Sequence, residues 1–181
     1  MPARSLFLTT VVSVAGCSVA LAAPPEISYE ARATSETMAI DGRLTEDTWR
    51  AAHAIPLMLP VSHKQPNTRT LGRLAWDDQA LYVAFEAEDQ DLQGELTERD
   101  ASVYKDDVLE AFLLPAGSEH YMGLEINILG TIYDAYGEEG SDWDCEGLRM
   151  AIKREGTLND SSDKDEGWVL ELAIPWEEVK G

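Results

Sequence analysis

A chain of 181 residues with 34 acidic and 14 basic side chains carries a formal net charge of −20. That field repels a phosphate backbone and an anionic membrane surface, which excludes nucleic acids and acidic lipids and leaves neutral ligands and cations. A hydrophobic fraction of 44% is enough to build a core in a chain of this length and argues against disorder.

The N-terminus, "MPARSLFLTTVVSVAGCSVALAAPP", has one early Arg, an apolar run from Leu6 and then small residues, the pattern of a secretory signal. The small-x-small triplet Ala20–Ala22 predicts ordinary cleavage, giving a leader over 1–22 and a mature domain over 24–181. "VAGC" (Val14–Cys17) competes as a lipobox that would leave a lipid anchor on Cys17. The residues after Cys17 stay apolar, which favours ordinary cleavage. Both routes predict export: a secreted, periplasmic or cell-surface protein. Ser and Thr interrupt the run, so no transmembrane anchor is expected. Once the leader is removed, Cys145 is left with no cysteine to pair with inside the chain.

In chain order, "LTEDTWRAA" predicts a short helix with Trp49 packed inward. "RLAW" reads as a strand with Arg73 on its polar side. "LYVAFEAED" alternates, with Leu81, Val83 and Phe85 facing one way and Tyr82, Ala84 and Glu86 the other. "DVLEAFLLP" is apolar on both faces except for Glu110 and is expected to be a central strand. "YMGLEINIL" turns Met122, Leu124, Ile126 and Ile128 inward and Tyr121, Glu125 and Asn127 outward. "LRMAIKR" reads as a strand with Arg149 and Lys153 on the polar side. "WVLELAIPW" turns Trp168, Leu170, Leu172, Ile174 and Trp176 inward and Glu171 outward, and "PWEEV" begins a short turn. The turn-forming runs "DGR", "WDDQ", "PAGS" and "DEGW" separate these elements. Many short alternating strands with one or two short helices predict an all-β fold: an antiparallel two-sheet β-sandwich of jelly-roll or immunoglobulin-like type.

Four of these strands each place one carboxylate away from the Leu/Ile/Val set: Glu86, Glu110, Glu125 and Glu171. If the strands are neighbours, the four form a cluster whose members raise one another's pKa unless Arg73, Arg149, Lys153 or a cation compensates. The simple reading is a solvated acidic face. The functional reading is a concave polar platform for a hydroxyl-rich ligand, with acceptors at Glu110 and an amide at Asn127. Sugar C–H faces stack on rings, and Tyr104, Tyr121, Tyr133, Tyr136 and Trp143 are available. Trp143, in the polar run "GSDWDCEG", is either a tether into the core or a contact surface. Trp49, Trp76, Trp168 and Trp176 occupy periodic or turn-flanking positions suited to a core.

At this level of detail "IDGRLTEDTW", "RLAWDDQALYVAFEAED", "LTERDASVYKDDVLEAFLLP", "HYMGLEINILGTIYD" and "GTLNDSSDKDEGWVLELAIPW" together resemble carbohydrate-binding module family 9 in order and spacing, over roughly residues 38 to 179. The resemblance implies a β-sandwich that binds mono- or oligosaccharides or chain ends of a polysaccharide, often attached to secreted xylanases and accessory to polysaccharide degradation. Xylanase-linked members hold a terminal sugar between two aromatic rings and carry structural calcium. Tyr104 falls where one of those rings sits, with Tyr in place of Trp, and Glu110 and Asn127 fall where polar sugar contacts are expected. The family's neighbouring-strand Arg is Glu125 here. The second ring belongs near the family's C-terminus, and this chain stops at Gly181, so the domain is expected to be a fragment or a short variant.

"NDSSDKDEG" concentrates oxygen ligands, with Asp163 and Asp165 as weak calcium candidates and Asp106 with Asp107 as a second pair; a polar turn is the plainer reading. Glu110 and Glu125 could pair as in a glycosidase, but nothing selects them for that role, and no nucleophile triad, phosphate loop or zinc motif is present, so a non-catalytic protein is expected. Two further readings stand beside sugar binding. One is a surface or assembly protein of the same fold without sugar affinity. The other is a haem-binding electron-transfer sandwich ligated through Met122, His120 or Met58.

Overall fold

The computed structural model describes residues 28–58, 67–137 and 142–179. Within them lie nine strands, one α-helix and one 3-10 turn: β1 (Arg32–Ala33), α1 (Asp47–Ala51), β2 (Ile55–Pro56), β3 (Thr70–Trp76), β4 (Ala80–Glu88), the turn Val103–Lys105, β5 (Val108–Leu113), β6 (Met122–Asn127), β7 (Ile132–Tyr136), β8 (Arg149–Glu155) and β9 (Gly167–Pro175). No described helix is long and apolar enough to cross a membrane. The leader, its cleavage sites and Cys17 lie outside the described residues.

Two sheets pack face to face. The larger runs β1-β3-β4-β9-β8, with β2 also pairing along β3, and the smaller runs β5-β6-β7. The inward side chains of both supply one core: Leu81, Val83 and Phe85 from β4, Leu170, Leu172 and Ile174 from β9, Leu109 and Leu113 from β5, and Met122, Leu124 and Ile126 from β6. These are the inward sets that period-2 alternation dictates. Pairing is antiparallel except between β1 and β3, which run parallel through Arg32↔Ala75 and Ala33↔Trp76. "DVLEAFLLP" is not central: β5 is an edge strand, and β6 takes the middle of the smaller sheet.

The larger sheet is covered on both faces along part of β3, β4 and β9. Outside it, Ala75, Tyr82, Ala84 and Ala173 meet Met38, Trp49 and Ala52 in a second apolar cluster. Small alanines on three neighbouring strands let α1 and the 36–45 segment approach closely. Trp49 therefore packs on the outside of the sheet rather than between the sheets. Glu171 lies among these groups, fully buried, and accepts from Trp49 Nε1 at 2.9 Å and from the backbone N–H groups of Asp41 and Gly42 at 3.0 Å each. Gly42 has φ +75°, and a Cβ there would meet the Lys153 backbone at 3.1 Å, so glycine is required where this loop turns against β8. The other indoles are anchored similarly: Trp76 Nε1 donates to the Ala31 carbonyl and Trp176 Nε1 to that of Asp77.

Candidate functional site

The smaller sheet leaves its outer face open. Register aligns Val108 with Asn127, Glu110 with Glu125 and Phe112 with Gly123, and across β6 aligns Glu125 with Tyr133 and Gly123 with Ala135. Directly opposed residues share a face, so Glu110 and Glu125 stand side by side there with Tyr133 beyond them. Glu110 has no hydrogen-bond or ion partner among the described residues. Partial desolvation against the sheet raises its pKa. Two carboxylates opposed across an antiparallel pair oppose folding.

One end of this face is closed by the segment that carries Tyr104. Asp106 gathers it: its Oδ2 accepts from the N–H groups of Glu95 and Leu96 and from Asn127 Nδ2. Asn127 Nδ2 also donates to the Leu96 carbonyl, and its Oδ1 accepts from the N–H groups of Leu129 and Thr131. All the hydrogen-bonding atoms of this buried amide are therefore engaged within the protein. Asn127 is a bolt beneath the site; the expectation that it touches ligand is not met by this geometry. Val103 is fully buried and pins the 3-10 turn, while Tyr104 beside it is 61% exposed. Lys105 Nζ lies 5.7 Å from the Tyr104 ring centroid. Tyr104 is thus exposed on a turn that leads directly into β5, the strand that carries Glu110.

The other expected members lie elsewhere. Trp143 packs against the sandwich core with its ring 6.4 Å from that of Tyr136, an inward residue of β7. It is a tether, on the side of the sheet away from Glu110. The four carboxylates do not cluster. Glu86 and Glu171 belong to the larger sheet, Glu110 and Glu125 to the smaller, on opposite outer surfaces of the sandwich. Glu86 forms an ion pair with Arg73, and Glu171 is buried as described.

A family model, carbohydrate-binding family 9, matches residues 60–179. The chain belongs to carbohydrate-binding family 9. Its members are non-catalytic, so the Glu110–Glu125 pair is not an acid–base couple. Solved structures similar to the chain include three sugar-related ones. A Bacteroides uniformis protein assigned to carbohydrate binding superposes with a TM-score of 0.64 at 15% identity, covering 82% of this chain and 72% of that one. A family 9 module from Caldicellulosiruptor kristjanssonii in complex with cellotriose gives 0.55 at 20% identity, covering 80% and 65%. A family 9 module from the same organism in complex with glucose gives 0.54 at 20% identity, covering 77% and 65%. The chain therefore spans just under two thirds of the two Caldicellulosiruptor chains. These likenesses establish the fold. No curated protein matches the chain.

The calcium candidates Asp163 and Asp165 of this family 9 chain lie in the loop between β8 and β9, which packs against Leu92. Asp165 is buried, with Oδ2 accepting from Leu92 N–H and Oδ1 from Thr157 N–H, both at 2.7 Å. It clips two loops together. A Cβ at Gly156 would come within 2.0 Å of its Oδ1. Asp163 is exposed and shares no ligand cluster with it. Among the described residues the acids that do gather are Asp100, Asp134 and Asp144. The Arg99 guanidinium already occupies their centre, bonded to both oxygens of Asp134 and to Asp144, each at 2.8 Å. Arg99 supplies there the positive charge a metal would bring. Met122 is sealed in the core, His120 packs edge-on against Tyr136, and Met58 lies exposed, so the three do not converge as haem ligands. Burial pushes the Cys145 thiol up to about 12, leaving it protonated and unreactive.

Asp107 gives the domain a testable acid response. Burial, opposed by the Gln93 N–H and reinforced by Asp89, Asp91 and Asp106, raises its pKa to about 6. Between that value and its ordinary 3.8 the folded protein holds a proton that the unfolded chain releases, so stability rises as pH falls through this window. Burial raises Glu110 and Glu171 in the same sense. Asp77 acts oppositely: despite its partial burial, donors from Gln79, Tyr82 and Ala80 lower its pKa, and that contribution is lost in stronger acid. Melts at fixed ionic strength are expected to peak near about pH 5. Asp107→Asn should flatten the slope between neutrality and that peak; an unchanged slope would refute the assignment.

Proposed function

We propose that the outer face of the β5-β6-β7 sheet binds a neutral, gluco-configured saccharide, with Tyr104 as the stacking ring and Glu110 and Glu125 as acceptors for hydroxyl groups. The observation that carries this reading is Glu110, unpartnered and partly desolvated, directly opposite Glu125 on a face whose end carries the exposed ring of Tyr104. Carboxylates accept hydroxyl protons strongly, and a desolvated acceptor gains more from doing so. The gluco preference draws on the glucose and cellotriose complexes of the similar structures. Acidic saccharides are disfavoured, because a second carboxylate would approach two already present. The N-terminal leader supports export, and an exported non-catalytic module suits a role beside polysaccharide-degrading enzymes.

The test is calorimetry on the exported protein with glucose, xylose, cellobiose, xylo-oligosaccharides and oligogalacturonate, with calcium and then with chelator. Saturable binding of neutral sugars, absent for oligogalacturonate and indifferent to chelator, is expected. Silence toward every sugar from protein shown to be folded would overturn the reading and favour a surface or assembly role. Mass spectrometry of the same preparation separates cleavage before Ala23 from lipidation at Cys17.

A further inference from the structure

Four large hydrophobic side chains are exposed among the described residues: Met58, Tyr104, Phe112 and Tyr121. Three of them belong to the face just described. Phe112 follows Glu110 by two positions on β5 and is 44% exposed; Tyr121, at the start of β6, is 43% exposed. Their rings meet edge to face, with centroids 5.7 Å apart at an interplanar angle of 67°. Gly123 lies opposite Phe112 in register, and a Cβ there would stand 3.0 Å from Phe112 Cε1 and 3.8 Å from Tyr121 Cε2. The missing side chain is the space into which Phe112 leans, so its ring lies over β6 instead of standing free in solvent.

The pair is separated from the Tyr104 end by the carboxylates. Val108, at the Asn127 end, and Phe112 are four residues apart on one strand, a span of about 13 Å at the rise of an extended chain. One sugar ring cannot bridge that distance. We infer that Phe112 and Tyr121 form a second stacking subsite, and that the face takes a neutral oligosaccharide chain laid along β5 rather than a single terminal sugar. The inference rests on the sugar-binding reading above and specifies its ligand. The alternation of ring, carboxylate pair and ring matches a sugar chain, which presents C–H faces and hydroxyl edges in turn. The core of a protein–protein interface is depleted of charged residues, and Glu110 and Glu125 stand in the middle of this surface. The edge-to-face lock and the Gly123 seat hold the rings before ligand arrives, which lowers the entropy lost on binding.

The experiment titrates the exported protein and its Phe112→Ala and Tyr121→Ala variants with glucose, cellobiose, cellotriose and cellotetraose, and with the xylo- and manno- series. Both substitutions are at the surface, and melts confirm that the variants fold. Affinity of the parent is expected to rise about tenfold or more from the monosaccharide to the tetrasaccharide. Each variant should lose most of that gain while keeping the monosaccharide affinity of the parent. Phe112→Trp should show a fluorescence change with the tetrasaccharide and none with glucose. Monosaccharide binding with no dependence on chain length, or a length gain that survives both alanine variants, overturns the second subsite alone. Silence across all three series overturns the sugar-binding reading and this inference with it.

Discussion

Glu171→Ala is expected to lower the melting temperature by roughly 10 °C, corresponding to about 3 kcal/mol or more. Its carboxylate receives three donors: the Trp49 indole and the N–H groups of Asp41 and Gly42. Removing it leaves those donors without an acceptor in a region that water does not reach freely, at roughly 1–3 kcal/mol for each fully buried group. The loss spreads, because the same carboxylate ties α1, the 41–42 turn and β9 into one unit. Glu171→Gln keeps one acceptor oxygen and should fall between the alanine variant and the parent. The check is a thermal or urea melt of all three, with Trp fluorescence following the Trp49 environment. Equal stability of parent and Glu171→Ala would show that the outer layer adds nothing to the fold. Glycan affinity should be unaffected in Glu171→Ala below its melting transition, since the residue faces away from the smaller sheet.

Glu110→Gln is expected to move stability and binding in opposite directions. At neutral pH it removes the cost of a partly desolvated carboxylate on β5. A gain of up to about 1 kcal/mol follows, read as a melting temperature higher by about 3 °C. Sugar affinity should fall about tenfold, because a hydroxyl donates more strongly to a charged acceptor than to an amide oxygen. Tyr104→Ala should weaken binding by a similar factor while leaving stability unchanged, since its ring is mostly in solvent. Acidity supplies a second readout. Protonation of Glu110 as pH falls through its raised pKa should weaken binding by the parent, and the Gln variant should lack that component. A Gln variant that binds as tightly as the parent, with the same pH profile, would remove Glu110 from the site.

Strand positions and inward sets were legible because period-2 alternation is a direct consequence of the pleat, and β4, β6 and β9 each carry a full inward set of Leu, Ile, Val, Met or aromatic residues. Which strands are neighbours was not legible, and the four-carboxylate cluster failed for that reason: Glu86 and Glu171 share a pattern with Glu110 and Glu125 but not a sheet. The second apolar layer left a fainter mark in Ala75, Ala84 and Ala173, small residues on the side presumed wet, which signal a close neighbour. Asp134 left a clearer one. It follows the inward parity of Ile132 and Tyr136, and an acid at an inward position announces a buried partner, which proves to be Arg99. Asn127 was placed on the correct face, yet hydrogen-bond saturation depends on the loop packed over it, and local sequence carries no record of that. The edge position of β5 explains its apolar outward residues: Phe112 is exposed there, beside Tyr121, instead of being buried in a central strand.

The two sheets differ in how many of their surfaces hold the molecule together. The larger one is packed on both sides along β4 and β9, so substitutions there disturb packing. The smaller one is anchored by its inward residues and by Asn127 at one end of its outer face, while the exposed outer side chains of β5 can be exchanged with little penalty to folding. Such a division makes ligand preference evolvable: specificity can drift at positions 104, 108, 110, 112, 121, 125 and 133 under a nearly constant reserve of stability, and directed evolution for new glycans should begin at those positions.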